Sequence, residues 1–211
     1  MQVIYRSIDT VNAESESRTI NGYAVVFDSW SRDLGGFQEI IKRGSITQDL
    51  INQSDVIMNI NHDDDKMVAR CNKGTGTLRL ELREDGLFFE FEAPTTQLGD
   101  ELLFNVRNRN LFECSFAFAL DTEDETCQRW YREDSSIKRE INKIAHLVDC
   151  SIVTHAAYAA TSCATRGLKP EEIDVNEQIR KYDEEEQRKL KEQELVSKLD
   201  RMKSEMENIT I

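Results

Sequence analysis

The chain has 211 residues, of which 40 are Asp or Glu and 27 are Lys or Arg, which gives a net charge of −13. Nucleic-acid affinity comes mainly from Lys and Arg that neutralise phosphates, so this acidic excess argues against binding to nucleic acid or to an anionic membrane. No stretch approaches the ~18 apolar residues that span a bilayer, and the first ten residues lack the pattern of a signal peptide, so we expect a soluble protein made inside a cell.

The first predicted elements are short β-strands. Residues 19–27 and 55–60 are rich in β-branched and apolar side chains, which favour strands. Residues 77–83 alternate strictly between apolar and polar side chains, turn residues follow at 84–86, and residues 87–93 continue the pattern. This arrangement predicts a β-hairpin.

Two helices are predicted among the strands. A short helix at residues 45–50 is expected to be capped by Ser45, and residues 97–109 place their leucines on one face of a longer helix. Further strands are predicted at residues 111–120, 128–132, 137–144 and 146–154. The predicted class is therefore α+β, with a mainly antiparallel, barrel-like core, a few helices and a charged C-terminal helix.

The composition changes near residue 168, which predicts one domain at residues 1–168 and a tail at residues 169–211. The tail has 13 acidic and 9 basic side chains and no Phe, Trp, Cys or Gly, so it cannot build a core of its own. Apolar side chains with the alternating four- and three-residue spacing of a coiled-coil seam are Leu195, Leu199, Met202, Met206 and Ile209. A seam of about two heptads is marginal alone, which predicts a protein partner or self-association through residues 195–209. The alternative is a frayed, solvated helix.

The cysteines are odd in number and none forms a CxxC pair, so we expect reduced thiols rather than a zinc or redox site. They are Cys71, Cys114, Cys127, Cys150 and Cys163.

His62 follows the predicted strand at 55–60, where the chain turns toward solvent. Reactive side chains are common at such strand ends, although an exposed or merely hydrogen-bonded histidine is the simpler interpretation. The acidic residues at 63–65 suggest a metal site, but calcium-binding loops space their carboxylates at alternate positions. We therefore expect a solvated acidic loop, with no metal and no cofactor.

Ser115 and Asp149 each interrupt a predicted apolar strand. Ser115 is either a small, satisfied core residue or a nucleophile held beside a base. Asp149 needs a partner, because a buried, unpaired carboxylate costs several kcal/mol. Together with His62 they meet the requirement for acyl transfer, namely nucleophile, base and orienting acid. Cys114 is a rival nucleophile, but neighbouring strand residues point to opposite faces, so Cys114 and Ser115 cannot both face His62.

Three ordered motifs carry a family resemblance. They are AsnHisAsp (61–63), SerPheAlaPhe (115–118), and LeuValAspCysSerIleValThr followed by AlaTyr (147–158). With segments 22–27, 35–41 and 43–46, the likeness extends over roughly residues 18–166. The sequence resembles the prohead maturation proteases of tailed bacteriophages, which are relatives of the herpesvirus assemblins.

This resemblance implies a serine endopeptidase with His62 and Ser115 as catalytic residues and Asp149 as the third member. The assemblins use a second histidine in the third role, so His155 and His146 remain alternatives. Glu113 stands where the family usually has glycine, which means either a different local backbone or a side chain directed into the substrate cleft.

The resemblance also implies the biological setting. The expected substrates are the major capsid protein, scaffold segments and the chain itself, with self-cleavage within residues 167–174. The expected location is the host cell cytoplasm, inside the assembling procapsid, and the acidic charge favours basic substrate segments. Two alternatives remain: a non-catalytic scaffold or capsid-assembly protein that acts through its C-terminal helix, and a cellular barrel that binds peptide without cutting it.

Overall fold

The computed structural model describes residues 2–8, 11–13, 17–31, 33–34, 36–154 and 174–209. The strands in these ranges are β1 (Gln2–Ile8), β2 (Asn12–Ala13), β3 (Thr19–Val26), β4 (Phe37–Ile41), β5 (Asp55–Ile60), β6 (Ala69–Asn72), β7 (Thr75–Gly76), β8 (Leu78–Leu82), β9 (Gly86–Glu92), β10 (Glu113–Leu120), β11 (Gln128–Glu133), β12 (Ser136–Ile141) and β13 (His146–Val153). The helices are α1 (Gln48–Gln53), α2 (Gln97–Arg107) and α3 (Val175–Ile209), and a 3-10 turn covers Asp64–Lys66. None of these helices is long and apolar enough to cross a membrane.

The described strands form three sheets. The largest has the order β1-β10-β13-β5-β6-β7, a second has the order β2-β3-β9-β8, and a third has the order β11-β12-β4. Among the described pairs, β13 with β5 and β12 with β4 are parallel, and the others are antiparallel. No sheet closes into a barrel within the described ranges. The predicted α+β class, with few helices and a C-terminal helix, is confirmed, and its core consists of open sheets.

Most predicted elements are present near the expected positions. The predicted hairpin is formed by β8 and β9, in which Leu80 pairs with Phe89 and Leu82 with Leu87. The strands predicted at 19–27, 55–60, 111–120, 128–132, 137–144 and 146–154 and the helix at 97–109 correspond to β3, β5, β10 to β13 and α2, with ends that differ by at most three residues. The sequence patterns do not predict β1, β4 or β6. β6 has only four residues, and β4 ends in two consecutive isoleucines and does not alternate between apolar and polar side chains.

The short helix α1 begins later than predicted, and its N-cap is Thr47 rather than Ser45. Thr47 has an extended backbone, and its Oγ1 accepts a hydrogen bond from the Leu50 N–H at 3.1 Å. The Ser45 N–H instead donates to the Lys42 carbonyl at 3.0 Å, which places Ser45 in the turn before the helix. Both residue types are good N-caps, so local preference alone did not distinguish them.

The two faces of the largest sheet differ in polarity. Cys114 and Phe116 of β10 and Cys150 of β13 point into the main hydrophobic core. Because side chains alternate along a strand, Ser115 and Ser151 point to the opposite face. That face also carries Asp149 of β13, and these polar residues are buried as well. The candidate site residues therefore share one face of this sheet.

A buried ion pair lies in the three-stranded sheet. Arg139 of β12 donates from Nη1 to Glu39 Oε2 of β4 at 2.8 Å, and both side chains are only 1% exposed. Arg139 also donates from Nε to Gln128 Oε1 at 2.9 Å, and its guanidinium carbon lies 5.0 Å from the ring centre of Trp130. Both buried charges of this pair therefore have a partner of opposite charge, and Arg139 has a further hydrogen bond, as buried charges require.

Replacing only one member of this pair is expected to be strongly destabilising. Arg139→Met leaves the Glu39 carboxylate buried without its main counter-charge, which should lower the free energy of unfolding by about 3–5 kcal/mol. Arg139→Met with Glu39→Leu should recover most of that loss, because no buried charge is left uncompensated. Urea denaturation of each variant measures this. Arg79→Met, which removes two exposed ion pairs, with Glu81 and Glu90, is the control and should cost less than about 1 kcal/mol. A cost this small for Arg139→Met would contradict the prediction.

Candidate active site

His62 lies in a tight turn that follows β5. The Asp63 N–H donates to the Ile60 carbonyl at 3.2 Å, so Asn61 and His62 are the two central residues of the turn. Their φ angles are 54° and 55°, a pair of positive values typical of a type I′ turn. A residue other than glycine in this region costs on the order of 1–3 kcal/mol, so contacts from the rest of the protein must hold the turn.

The C-terminal end of β13 supplies these contacts. Asn61 Oδ1 accepts hydrogen bonds from the Thr154 N–H at 3.0 Å and from Thr154 Oγ1 at 3.3 Å. The Asn61 N–H donates to the Ile152 carbonyl at 3.1 Å. The His62 N–H donates to Ser151 Oγ at 2.8 Å. The turn is thus fixed to the neighbouring strand at both of its central residues.

From this turn the His62 side chain contacts both other candidate residues. Its Nε2 lies 2.8 Å from Ser115 Oγ, and its Nδ1 lies 2.9 Å from Asp149 Oδ1 and 3.1 Å from Asp149 Oδ2. The carboxylate can only accept, so Nδ1 carries the proton and donates to Asp149. Nε2 is then the acceptor for the Ser115 hydroxyl.

Strand register explains how these residues meet. Ser115 lies within β10 and pairs with Ser151 of β13, and Ala117 pairs with Asp149 two positions along. β13 in turn pairs with β5 in parallel, which places the turn after β5 above β13. The His62 ring therefore lies over β13, between its own carboxylate partner and the hydroxyl on the next strand.

The site is enclosed. Ser115 has no solvent-exposed surface, and the side chains of His62 and Asp149 are nearly buried. Burial excludes water and strengthens each hydrogen bond between these groups.

The two alternative histidines stand differently. His146 is exposed at the first position of β13, roughly 10 Å from Asp149 along the strand. No contact in the described part of the chain joins it to His62. His155 lies outside the described residues, as do residues 167–173 of the predicted self-cleavage stretch at 167–174. The carboxylate in contact with the His62 ring is that of Asp149.

Cys114 faces away from His62, as strand alternation predicts. Its side chain is fully buried in the main core. Burial raises the pKa of the Cys114 thiol, and the nearby Asp149 carboxylate raises it further. Such a thiol stays protonated and is a poor nucleophile. The described cysteines Cys71, Cys114, Cys127 and Cys150 are all free, and Cys163 lies outside the described residues.

The acidic residues beside His62 have structural contacts. Asp63 Oδ1 accepts from the Asp65 N–H at 3.1 Å, so Asp63 caps the 3-10 turn, and its Oδ2 lies 3.2 Å from Lys66 Nζ. Asp64 accepts from the buried Asn59 Nδ2 at 3.4 Å. Glu113, the first residue of β10, is buried on the same face as Ser115 and two positions before it.

Sequence reasoning missed Ser151 and the role of Asn61. Both residues lie in the quoted motifs, but the amide of Asn61 does not suggest acid–base or nucleophilic chemistry, and the Ser151 hydroxyl accepts from a backbone N–H, a contact that residue type alone does not indicate. A signal was present in β13, where Asp149 and Ser151 are polar and share one face of an otherwise apolar strand. A polar pair on one strand face indicates a polar neighbour across the sheet.

The arrangement can activate a serine hydroxyl. A histidine that accepts from a serine and donates to a carboxylate can take the serine proton while the oxygen attacks a carbonyl, and the carboxylate then stabilises the imidazolium. Acyl transfer is the reaction class that these three groups support best.

The sequence model of one protein family, caudovirus prohead serine protease, matches residues 4–177. No curated protein matches the chain. Among solved structures, the capsid assembly protease gp21 of bacteriophage T4 is similar, with 12% sequence identity and a TM-score of 0.45. The match covers 73% of this chain and 98% of that protein.

Proposed function

This chain belongs to the caudovirus prohead serine protease family, and we propose that it is a serine endopeptidase that cuts capsid-protein and scaffold segments, and itself, during head assembly. The observation that carries the proposal is the position of the His62 ring, 2.8 Å from Ser115 Oγ and 2.9 Å from Asp149 Oδ1.

The proposed mechanism assigns one role to each of these residues. Ser115 Oγ attacks the scissile carbonyl while His62 Nε2 takes its proton, which gives a tetrahedral intermediate. His62 then passes that proton to the leaving amine, the peptide bond breaks, and an acyl-enzyme remains. A water molecule then attacks the acyl-enzyme while His62 takes its proton as base. His62 returns that proton as acid to Ser115 Oγ, and the carboxylic acid product leaves. Asp149 holds the Nδ1–H tautomer and stabilises the imidazolium.

The proposed setting is the host cell cytoplasm, inside the assembling procapsid. The first 168 residues carry a net charge of −9, with 27 acidic and 18 basic side chains. This charge favours encounter with basic scaffold or capsid segments and disfavours the DNA that is packaged later. Self-cleavage within residues 167–174 would separate the protease core from α3.

The test is cleavage of the major capsid protein and scaffold of the same phage by the full chain. Fragment masses should map cuts to basic segments, and a fluorophosphonate should label Ser115 in the same mixture. Cleavage should slow when ionic strength rises from about 50 mM to about 300 mM, because salt screens the attraction. Absence of both cleavage and labelling would reject the proposed activity, whereas salt-independent cleavage would reject only the electrostatic preference.

We also propose that two copies of the chain associate through α3. Its first turns pack against β11, and Ile179 is buried there, whereas Leu195 and Leu199 are 59% and 48% exposed. The remaining seam positions, Met202, Met206 and Ile209, lie outside the described side chains. Two copies of this seam would cover each other in a short coiled coil.

Sedimentation velocity tests self-association through α3. The wild type should form dimers at micromolar concentration, and Leu195→Ser with Leu199→Ser should be monomeric. Leu190→Ser is the control, because Leu190 is equally exposed but lies off the seam. A wild type that stays monomeric, or a control that dissociates as readily, would contradict self-association through this seam.

A further inference from the structure

Ser151 is a fully buried polar residue that the proposed mechanism does not use. It lies on β13, where its Cα pairs with that of Ser115 on one side and that of Asn59 on the other. Its side chain shares the sheet face of the candidate site. A buried hydroxyl normally has a hydrogen-bonding reason to be there.

Ser151 Oγ makes two hydrogen bonds, and they join different parts of the site. It accepts from the His62 N–H at 2.8 Å and donates to the Asn59 carbonyl at 3.4 Å. A hydroxyl has one hydrogen and two lone pairs, so both bonds form at once. The first is the shorter, and it binds the backbone of the histidine whose ring contacts the nucleophile.

The His62 backbone needs this support. Asn61 and His62 both have positive φ angles, and neither is glycine. Asn61 is held by Thr154 through its side chain, whereas the contact to the His62 backbone N–H comes from Ser151. A backbone shift at His62 would move Nε2 relative to Ser115 Oγ directly, because only the two side-chain torsions of His62 lie between its backbone and its ring.

We propose that Ser151 is a positioning residue that sets the distance between His62 Nε2 and Ser115 Oγ, an inference that rests on the proposed serine-protease function. It touches no reacting atom. Ser151 pairs with Ser115 in the sheet, so its hydrogen bond to His62 holds the base at a defined position relative to the strand that carries the nucleophile. The hydroxyl thereby relates the base to the nucleophile through strand register, independently of the Asp149 contact to the ring.

The ordinary alternative is a small core serine that satisfies one carbonyl. The Asn59 bond alone would fit that description. The two interpretations differ at the His62 N–H: a core serine has no effect on the base, whereas a positioning serine controls it. The test must therefore separate loss of volume from loss of the acceptor.

Two variants and a control achieve this separation. Ser151→Ala removes the acceptor and leaves a small cavity, whereas Ser151→Cys leaves no cavity and offers only a weak sulfur acceptor. Ser45→Ala is the control, because Ser45 is also buried but its hydroxyl has no hydrogen-bond partner in the described structure. Peptide cleavage, amide hydrogen exchange at His62 and thermal unfolding are measured for each full-length protein.

Both Ser151 variants should lower kcat by about 10- to 100-fold, the effect of a displacement of about 1 Å at a catalytic group, while KM changes less than about threefold. The His62 amide should be protected from exchange in the wild type and should exchange faster in both variants. Ser45→Ala should leave kcat and the exchange of His62 unchanged.

Three outcomes would overturn the inference alone. They are an unprotected His62 amide in the wild type, a kcat for both Ser151 variants equal to that of Ser45→Ala, or a defect in Ser151→Ala that Ser151→Cys lacks. The exchange measurement needs no activity, so it decides the His62 contact even if a variant is unstable at assay temperature. A wild type that neither cleaves peptide nor reacts with a fluorophosphonate would instead reject the proposed function, and this inference with it.

Discussion

Ser115→Ala should lower the rate of peptide-bond cleavage by a factor on the order of 10⁶. Within the described part of the chain, the Ser115 hydroxyl is the group that contacts His62 Nε2 and can form the acyl-enzyme, so no step of the proposed mechanism survives its removal. His62→Ala should cost about as much, and the double variant should cost no more than either single change, because the two residues act as a unit. The measurements are kcat on a cleaved peptide and the intact mass of each full-length chain over time.

The control for Ser115→Ala is Cys114→Ala. Cys114 is the neighbouring residue on β10, but it points into the core with a thiol whose pKa is raised by burial. Its removal should leave kcat within about threefold of the wild type. Undiminished cleavage by Ser115→Ala would reject Ser115 as the nucleophile. Loss of cleavage in a folded Cys114→Ala variant would favour the Cys114 thiol as the nucleophile instead.

Asp149→Asn should lower kcat by about 10⁴-fold while the protein stays folded. The amide has nearly the shape of the carboxylate, but its NH₂ group cannot accept from Nδ1–H. His62 would then favour the tautomer with the proton on Nε2, which cannot accept the Ser115 proton. The loss of negative charge also removes the partner that stabilises the imidazolium. Steady-state kinetics give kcat, and circular dichroism shows whether the variant is folded.

Two histidine variants complete this test, because the family resemblance leaves the third role open. His146→Ala should keep kcat within about twofold, since His146 is exposed and roughly 10 Å from Asp149. His155→Ala should also be mild if Asp149 orients the base. A loss of about a thousandfold in His155→Ala, together with a mild effect of Asp149→Asn, would transfer the role to His155.

Local structure was largely predictable from the residues. The hairpin β8–β9 follows from strict alternation and an intervening turn, because a strand exposes successive side chains to opposite faces whatever its partners are. The same rule placed Cys114 and Ser115 on different faces of β10. The start of α1 was wrong by three residues, since Ser45 and Thr47 are both good caps and a hydrogen bond to the Lys42 carbonyl assigns Ser45 to a turn.

The sequence indicated which three residues meet in the candidate site, but not which residues hold the turn that carries His62. His62, Ser115 and Asp149 were named from residue chemistry and ordered motifs, and the structure brings their side chains into hydrogen-bond contact, while their catalytic roles stay predictions. Ser151 and Asn61 were missed because their function is to hold a backbone turn. Such a role depends on φ angles and on a neighbouring strand, and neither can be recognised in a residue type.

The amino-acid sequence by itself established the two-residue period of the strands, the acidic charge, the composition of the charged tail and three motifs in a fixed order. These properties depend on side-chain chemistry and on backbone geometry over a few residues. Strand pairing supplied the rest: it brings His62 to Ser115 across 53 positions, His62 to Asp149 across 87, and Arg139 to Glu39 across 100. Pairing of β10, β13 and β5 depends on which faces pack together in the core, a free energy summed over the whole fold, so no local stretch of sequence specifies it.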